Sequence, residues 1–539
     1  VKTWLVGITL TGLALSPLAV GGAAAQGEKL GAVDFKTSCT PEAHAQVNRA
    51  VALLHSFWLD AAVKGFAEAA RLDPSCGIAH WGAAVAWLGN PLAGPPSPKG
   101  LAEGTAAVAR ARQAGAGTPR ERDYIAAIET FYARADSVDH RSRARAYEKA
   151  MEQLAARYPD DREAAIFYAL ALNITLDPTD KTYANQLEAA AILEKAFAQQ
   201  PDHPGVAHYL IHSYDFPPIA QRGLAAARRY ASIAPSAPHA QHMPSHIFTR
   251  VGLWQESIDA NRASARAAQE ALRQDTTGLR SYEALHAYDY MMYGYMQLAR
   301  DREARALMDE VLATTRLNVD HFAGAFALAA IPARYTLERR QWAEAAELGF
   351  VPKDLAWDRF PQAESIVWFA RGIGAARAGN PARARKDLER IEALRDRLAQ
   401  AKNAYWAEQS EIQRLAVAAW VVRAEGKADE AVALMRQAAD REDATEKHPV
   451  TPGALFPARE MLGDLLLELG RPAAALAEFE RSHKTDPNRF LGLAGAARAA
   501  EAAGQTARAR QYYQQLLELA REAQGERPEL ARARAALGR

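Results

Sequence analysis

Apolar residues recur every three or four positions along most of the chain, in runs of three to four turns, the spacing of a buried helical face. Ala- and Leu-rich stripes alternate with Arg/Glu-rich ones, and the two-residue alternation of a strand is nearly absent. Short breaks such as LDPSCG, YPDDRE, QQPDHPG, IAPSAPH and KTDPNR separate the runs. A proline in each break stops one helix and suits the first turn of the next. The pattern predicts an all-α chain.

The helical runs also repeat. Residues 456–489 put Leu462 and Gly463 in a first helix, Gly470 at its end, Ala475 at a close helix contact and Phe479 one turn later. Pro487 opens the next unit, where Gly504, Ala509 and Tyr513 follow the same order. Residues 43–76, with Ala62, Phe66 and Asp73-Pro74, form another version, as do residues 238–271, with Phe248, Gly252, Trp254 and Ser257. This arrangement resembles the tetratricopeptide repeat (TPR) family. The resemblance implies an α-solenoid, a superhelix of about 10 to 12 stacked helix pairs over nearly all of 42–535. It also implies a concave groove in which a partner is held.

Two stretches interrupt the array. GNPLAGPPSPKG (89–100) is a Pro/Gly loop, expected to form a rigid lip. ADREDATEKHPVTPGAL (439–455) reads as a charged linker. The expected organisation is an extended segment at 26–41, a divergent TPR-like array at 42–438 with a histidine-rich groove, the linker 439–455, and regular repeats at 456–539.

Residues 1–25 have the anatomy of a secretory signal: Lys2, a mostly apolar stretch at 4–20, and Ala23-Ala24-Ala25 before Gln26. A retained anchor is the alternative. No later segment approaches the roughly 18 uninterrupted apolar residues of a membrane span. The expected mature protein is periplasmic or secreted, with no transmembrane helix. A net charge of +1 with 24% charged residues argues against a nucleic-acid partner. Cys39 and Cys76 are the two cysteines. An oxidising compartment favours a disulfide between them, pinning the extended segment to the first helices; two free buried thiols are the alternative.

The candidate chemistry lies in HPGVAHYLIHSYD (203–215) and HAQHMPSHIFTR (239–250). His208 to His242 and His212 to His246 are both offsets of 34 residues, one repeat period. Each pair is spaced i,i+4, on one helix face, and His239 lies three residues before His242. The stripes at 205–214 and 239–248 should therefore run side by side on neighbouring helices. In TPR arrays that side lines the groove, so the resemblance implies that these histidines face a cavity.

Three or four imidazoles from two such helices can meet on one transition-metal ion, copper or zinc first and iron next. The metal candidates are His208, His212, His242, His246 and His239. A non-metal ligand groove and a hydrogen-bonded network of neutral imidazoles are the alternatives. No Glu follows His208 or His242, so the HExxH pattern of zinc proteases is missing. His203, at an inter-repeat turn, reads as structural. The next helix, SYEALHAYDYMMYGYMQLAR (281–300), supplies His286, to complete a coordination sphere or donate a proton, and Tyr290 on the same face. Glu283 or Asp289 is expected to orient an imidazole through its second nitrogen. Tyr209 and Arg250 join His286 and Tyr290 as ligand-binding candidates, and Asn261 is a further neighbour of the face. No Ser–His–acid triad, Walker loop or Rossmann loop stands out.

The motifs LLHSFW, DPSCGIAHWG, HPGVAHYLIHSYD and APHAQHMPSHIFTRVG together are similar to a group of exported bacterial TPR proteins, over roughly residues 35–300. That resemblance implies secretion and a shared site. The expected function is binding of a protein, peptide or small ligand in the groove, through a histidine-bound transition metal. A mononuclear copper, zinc or iron enzyme on the histidine face is the alternative, and a purely structural envelope module is a third reading.

Overall fold

The computed structural model describes Val1, residues 28–272 and residues 278–538; the expected signal segment, Val1 apart, lies outside the described residues. From Pro41 to Leu537 helix follows helix, and consecutive helices pack on one another as an α-solenoid of TPR-like pairs. The one sheet among the described residues is a two-residue parallel bridge, Leu279–Arg280 on Arg316–Leu317.

The pair at 458–485 shows why the sequence stacks this way. The helices Ala458–Glu468 and Pro472–Thr485 are joined through Gly470, whose φ of +68° an L side chain adopts only with strain. Phe479 wedges between two glycines. A Cβ on Gly463 or Gly495 would come within 2.7 or 2.3 Å of its ring. The same seam recurs near the other end, where a Cβ on Gly82 would lie 2.2 Å from Phe66. Close approach of backbones, with one aromatic filling the gap, fixes the stacking distance.

The buried core falls into two clusters, one drawn from residues 30–248 and the other from 258–533. The seam lies near residue 250, inside the stretch expected to be one array, and the linker at 439–455 is not where the core divides. Its first six residues complete the helix Ala428–Ala444, and 445–455 form an irregular strap. The C-terminal repeats also fold back onto the middle of the chain. Trp254 Nε1 donates to the Asn488 carbonyl at 2.8 Å. Arg489, fully buried, reaches Glu338 at 2.6 Å, Glu460 at 2.7 Å and Tyr293 Oη at 2.7 Å. A buried guanidinium is tolerable only with its donors so engaged, and this one ties three repeats together.

The N-terminal segment 28–40 runs extended along the repeat turns. Ala32 N–H donates to the Asp202 carbonyl at 3.0 Å, and Ser236 N–H to that of Lys29 at 3.3 Å. Cys39 and Cys76 are disulfide-bonded, with Cα atoms 5.1 Å apart. Among the described residues no helix is long and apolar enough to cross a membrane.

Candidate metal centre

His203 starts the helix Pro204–Tyr214, its Nδ1 accepting from Val206 N–H at 3.3 Å. His208 and His212 follow on one face. The next unit is not the single helix that the sequence suggests. Pro238–His242 and Pro244–Arg250 are separated at Met243, because Pro244 has no N–H to continue the ladder. Met243 keeps helical dihedrals (φ −54°, ψ −35°), so the direction is nearly preserved. His246 N–H turns to the Met243 carbonyl at 3.1 Å, and Ser245 Oγ–H donates to the His242 carbonyl at 2.7 Å.

The expected open groove is largely covered, with His239 and His286 half-buried and the other four triad imidazoles buried. His208 is 0% exposed, His242 2%, His246 1% and His212 7%. The strap 445–455 forms the roof. Tyr290 Oη lies 3.1 Å from the carbonyls of both Pro449 and Thr451, and Lys447 Nζ donates to Asp215 at 2.7 Å. His448 Nε2 reaches the Ala93 carbonyl of the Pro/Gly loop at 3.1 Å.

Inside, six histidines sort into two triads, His208/His212/His239 and His242/His246/His286, each with ligand atoms within 4.8 Å of one another. His208 Nε2 is 3.2 Å from Nε2 of both His212 and His239. His242 Nε2 and His246 Nε2 are 3.0 Å apart. The partners of the other ring nitrogens settle the tautomers. His208 Nδ1 lies 2.6 Å from the His55 carbonyl, which can only accept. His246 Nδ1 lies 2.8 Å from the Asp215 carboxylate. His242 Nδ1 is 2.6 Å from Asn261 Oδ1, oriented because Asn261 Nδ2–H donates to the Ser257 carbonyl at 2.7 Å. All three therefore carry their proton on Nδ1 and point an Nε2 lone pair inward.

These rings are neutral. Burial first, and then the neighbouring imidazoles, hold His208, His212, His239, His242 and His286 well below the usual histidine value. Burial lowers His246 too, against the pull of Asp215. Asp215 stays ionised because Lys447 and Arg250 outweigh the burial that opposes its charge. Burial brings the Lys447 amine down to about 8.

Two imidazole nitrogens facing at 3.0 Å can share a proton or hold a metal ion between them. Tyr290 Oη, 3.3 Å from His246 Nε2, has one hydrogen for that nitrogen and two carbonyls. Nitrogen separations of 3.0–3.2 Å are close to the edge of a tetrahedron with metal–nitrogen bonds of 2.0–2.1 Å, about 3.3 Å. The five candidate histidines thus fall into two sets, and His286 belongs to the second.

Other candidates land elsewhere. Tyr209 is fully buried, its hydroxyl 2.9 Å from His55 Nδ1, on the core side of the helix. Glu283 touches no imidazole; burial, with Asp60 nearby, raises its carboxyl to about 7. Asp289 pairs with Arg334 at 3.2 Å, both fully buried. Arg250 holds Asp215 at 2.8 Å and so acts on His246 at one remove. The imidazole-orienting groups are Asp215, Asn261 and the His55 carbonyl. Asp215, three residues after His212 at the helix end, was visible in the motif; Lys447, 232 residues further on, was not.

A third histidine group adjoins these. His55 Nε2 and His203 Nε2 flank the Glu163 carboxylate at 3.0 and 2.9 Å, with Tyr209 Oη on His55 Nδ1 and Val206 N–H on His203 Nδ1. Burial opposes the Glu163 charge, yet the two imidazoles hold its carboxyl well below the usual carboxylate range. Beside the strap lies a cavity of about 380 Å³, whose lining includes Tyr183, Arg250, Phe326, Tyr405, Trp406 and Lys447.

No protein-family model and no curated protein matches the chain. Among solved structures, the human IFIT1 dimer with PPP-AAAA is 13% identical, covering 90% of this chain and 96% of that one, at a TM-score of 0.37. Yeast Tom70 is 12% identical, covering 92% and 96%, at a TM-score of 0.30. The APC/C hetero-tetramer Cut9–Hcn1 is 10% identical, covering 91% and 96%, at 0.28. Likeness at this level concerns the helical fold alone.

Proposed function

We propose that this protein is an exported α-solenoid that holds a transition metal, copper or zinc, in a buried histidine chamber roofed by the 445–455 strap. The observation that carries the reading is the His242/His246 pair, whose Nε2 lone pairs face each other at 3.0 Å while both Nδ1 protons are committed to Asn261 and Asp215. The Cys39–Cys76 disulfide supports a periplasmic or secreted location. The chain purified without an affinity tag is expected to carry near-stoichiometric copper or zinc by elemental analysis, and His242→Ala with His246→Ala to lower it. Protein that takes up neither ion, with thermal stability unmoved by both, rules the reading out.

A second reading has its own support. The cavity beside the strap combines aromatic walls with Arg250 and Lys447, the make-up of a small-ligand or peptide site. Lys447 and Arg250 both contact Asp215, so occupancy there would be felt at His246. A ligand bound in that cavity is expected to alter metal affinity; identical affinity with and without it separates the two sites.

A further inference from the structure

Building on the metal-binding reading, we infer that the two triads form one dinuclear centre, in which two copper ions, one per triad, share a bridging oxygen-donor anion.

The ligand sets are two copies of one design. Each consists of an i,i+4 histidine pair and a single histidine from a later helix, beyond an intervening one: His208 and His212 with His239, then His242 and His246 with His286. The 34-residue offset duplicates the i,i+4 pair, and each pair is joined by one further histidine, His239 for the first and His286 for the second. A single ion cannot use six imidazoles in a tetrahedral sphere. Three donors per ion leave a position open on each.

The triads also occupy one chamber. The rings of His212 and His246 have centroids 5.7 Å apart, and those of His239 and His242 5.9 Å. Two-metal sites place their ions roughly 3.5–4 Å apart, a span that imidazoles at these separations can bracket.

Donor type and charge select the metal and the bridge. All six donors are neutral imidazoles, a set that suits copper and leaves the hard, oxygen-seeking ions poorly served. Two divalent ions would bring four positive charges into a buried space. Asp215, among the described residues the one carboxylate hydrogen-bonded to a triad imidazole, is already shared with Lys447 and Arg250. A small oxygen anion such as hydroxide, bound at the two open positions, both completes the coordination and offsets part of that charge.

The test loads the metal-free full-length chain with Cu(II), counts copper by elemental analysis, and integrates the EPR signal before and after anaerobic acid release. The expected result is two coppers per chain, with a native signal far below two spins that acid release restores in full. His239→Ala and His286→Ala are each expected to keep one copper with the undiminished signal of an isolated ion. One copper per wild-type chain, or two with full native intensity, overturns the shared centre and leaves the metal-binding reading standing. No copper overturns both. If either variant fails to fold, its Gln counterpart serves, and the wild-type copper count and spin integral decide the matter without them.

Discussion

Two histidine clusters lie side by side in this protein, and they are built in opposite ways. In His55–Glu163–His203 every ring nitrogen has a complementary partner: a carboxylate oxygen for each Nε2, and a hydroxyl or backbone N–H for each Nδ1. In the two triads the outer nitrogens of His208, His242 and His246 have partners and His286 Nδ1 has none, while inner nitrogens face other inner nitrogens. A closed network stabilises the fold by itself, whereas converging imidazole nitrogens form a group that could hold a metal ion. The His55 backbone joins them, since its side chain belongs to the first cluster and its carbonyl orients His208 of the second. Counting histidines does not tell such clusters apart; accounting for both nitrogens of each ring does.

The largest effect expected from breaking this contrast is on the closed cluster. Glu163→Ala leaves two buried imidazoles without their shared carboxylate and should cost about 3–5 kcal/mol of unfolding free energy, equally in metal-free and metal-loaded protein. A loss that appears only with metal present would mean that Glu163 serves the metal centre. Metal removal should act on the other cluster. Copper at a thousand times its dissociation constant is expected to stabilise the wild-type chain by about 4 kcal/mol, and a chelator to remove that gain. Denaturant unfolding curves that coincide with and without copper would contradict it.

A smaller effect separates the triads from each other. Asp215→Asn weakens the acceptor behind His246 and should lower affinity at the second triad by roughly 10–100-fold; the first triad, whose His208 rests on a backbone carbonyl, should be unaffected. Copper titration of the variant reads this directly, and two equally weakened sites would refute the division.

The smallest effect is one of pH. The folded-state pKa of Glu163 is depressed below its usual 4.5, so its contribution is present above that value and is lost as pH falls through the folded pKa. Metal-free wild type should lose stability below pH 4.5 with a slope steeper than that of Glu163→Gln by up to about 1.4 kcal/mol per pH unit. Parallel pH profiles would show that the carboxylate is not held ionised by its imidazoles.

The sequence made the repeat legible because stacking distance depends on residue size. Gly463 and Phe479, or Gly82 and Phe66, must be small and aromatic for the backbones to meet, and that requirement leaves its mark at fixed spacing. The two histidine columns were legible for the same reason, since i,i+4 spacing and the repeat period are properties of the chain itself. The break at Pro244 was overlooked although proline's missing N–H is a local fact, because the histidine spacing continues across it. The core-facing direction of Tyr209 was less accessible, as it depends on which side of its helix meets His55.

What the sequence by itself determined is the all-α solenoid and the face of its helices that carries imidazoles. Only the tertiary structure decided that the groove is covered, that His286 joins His242 and His246, and that Lys447 with the 445–455 strap roofs them. The reason is physical. Helical periodicity and repeat offset act between near neighbours, whereas the roof is made by contacts such as Lys447–Asp215 and His448–Ala93, between residues hundreds of positions apart.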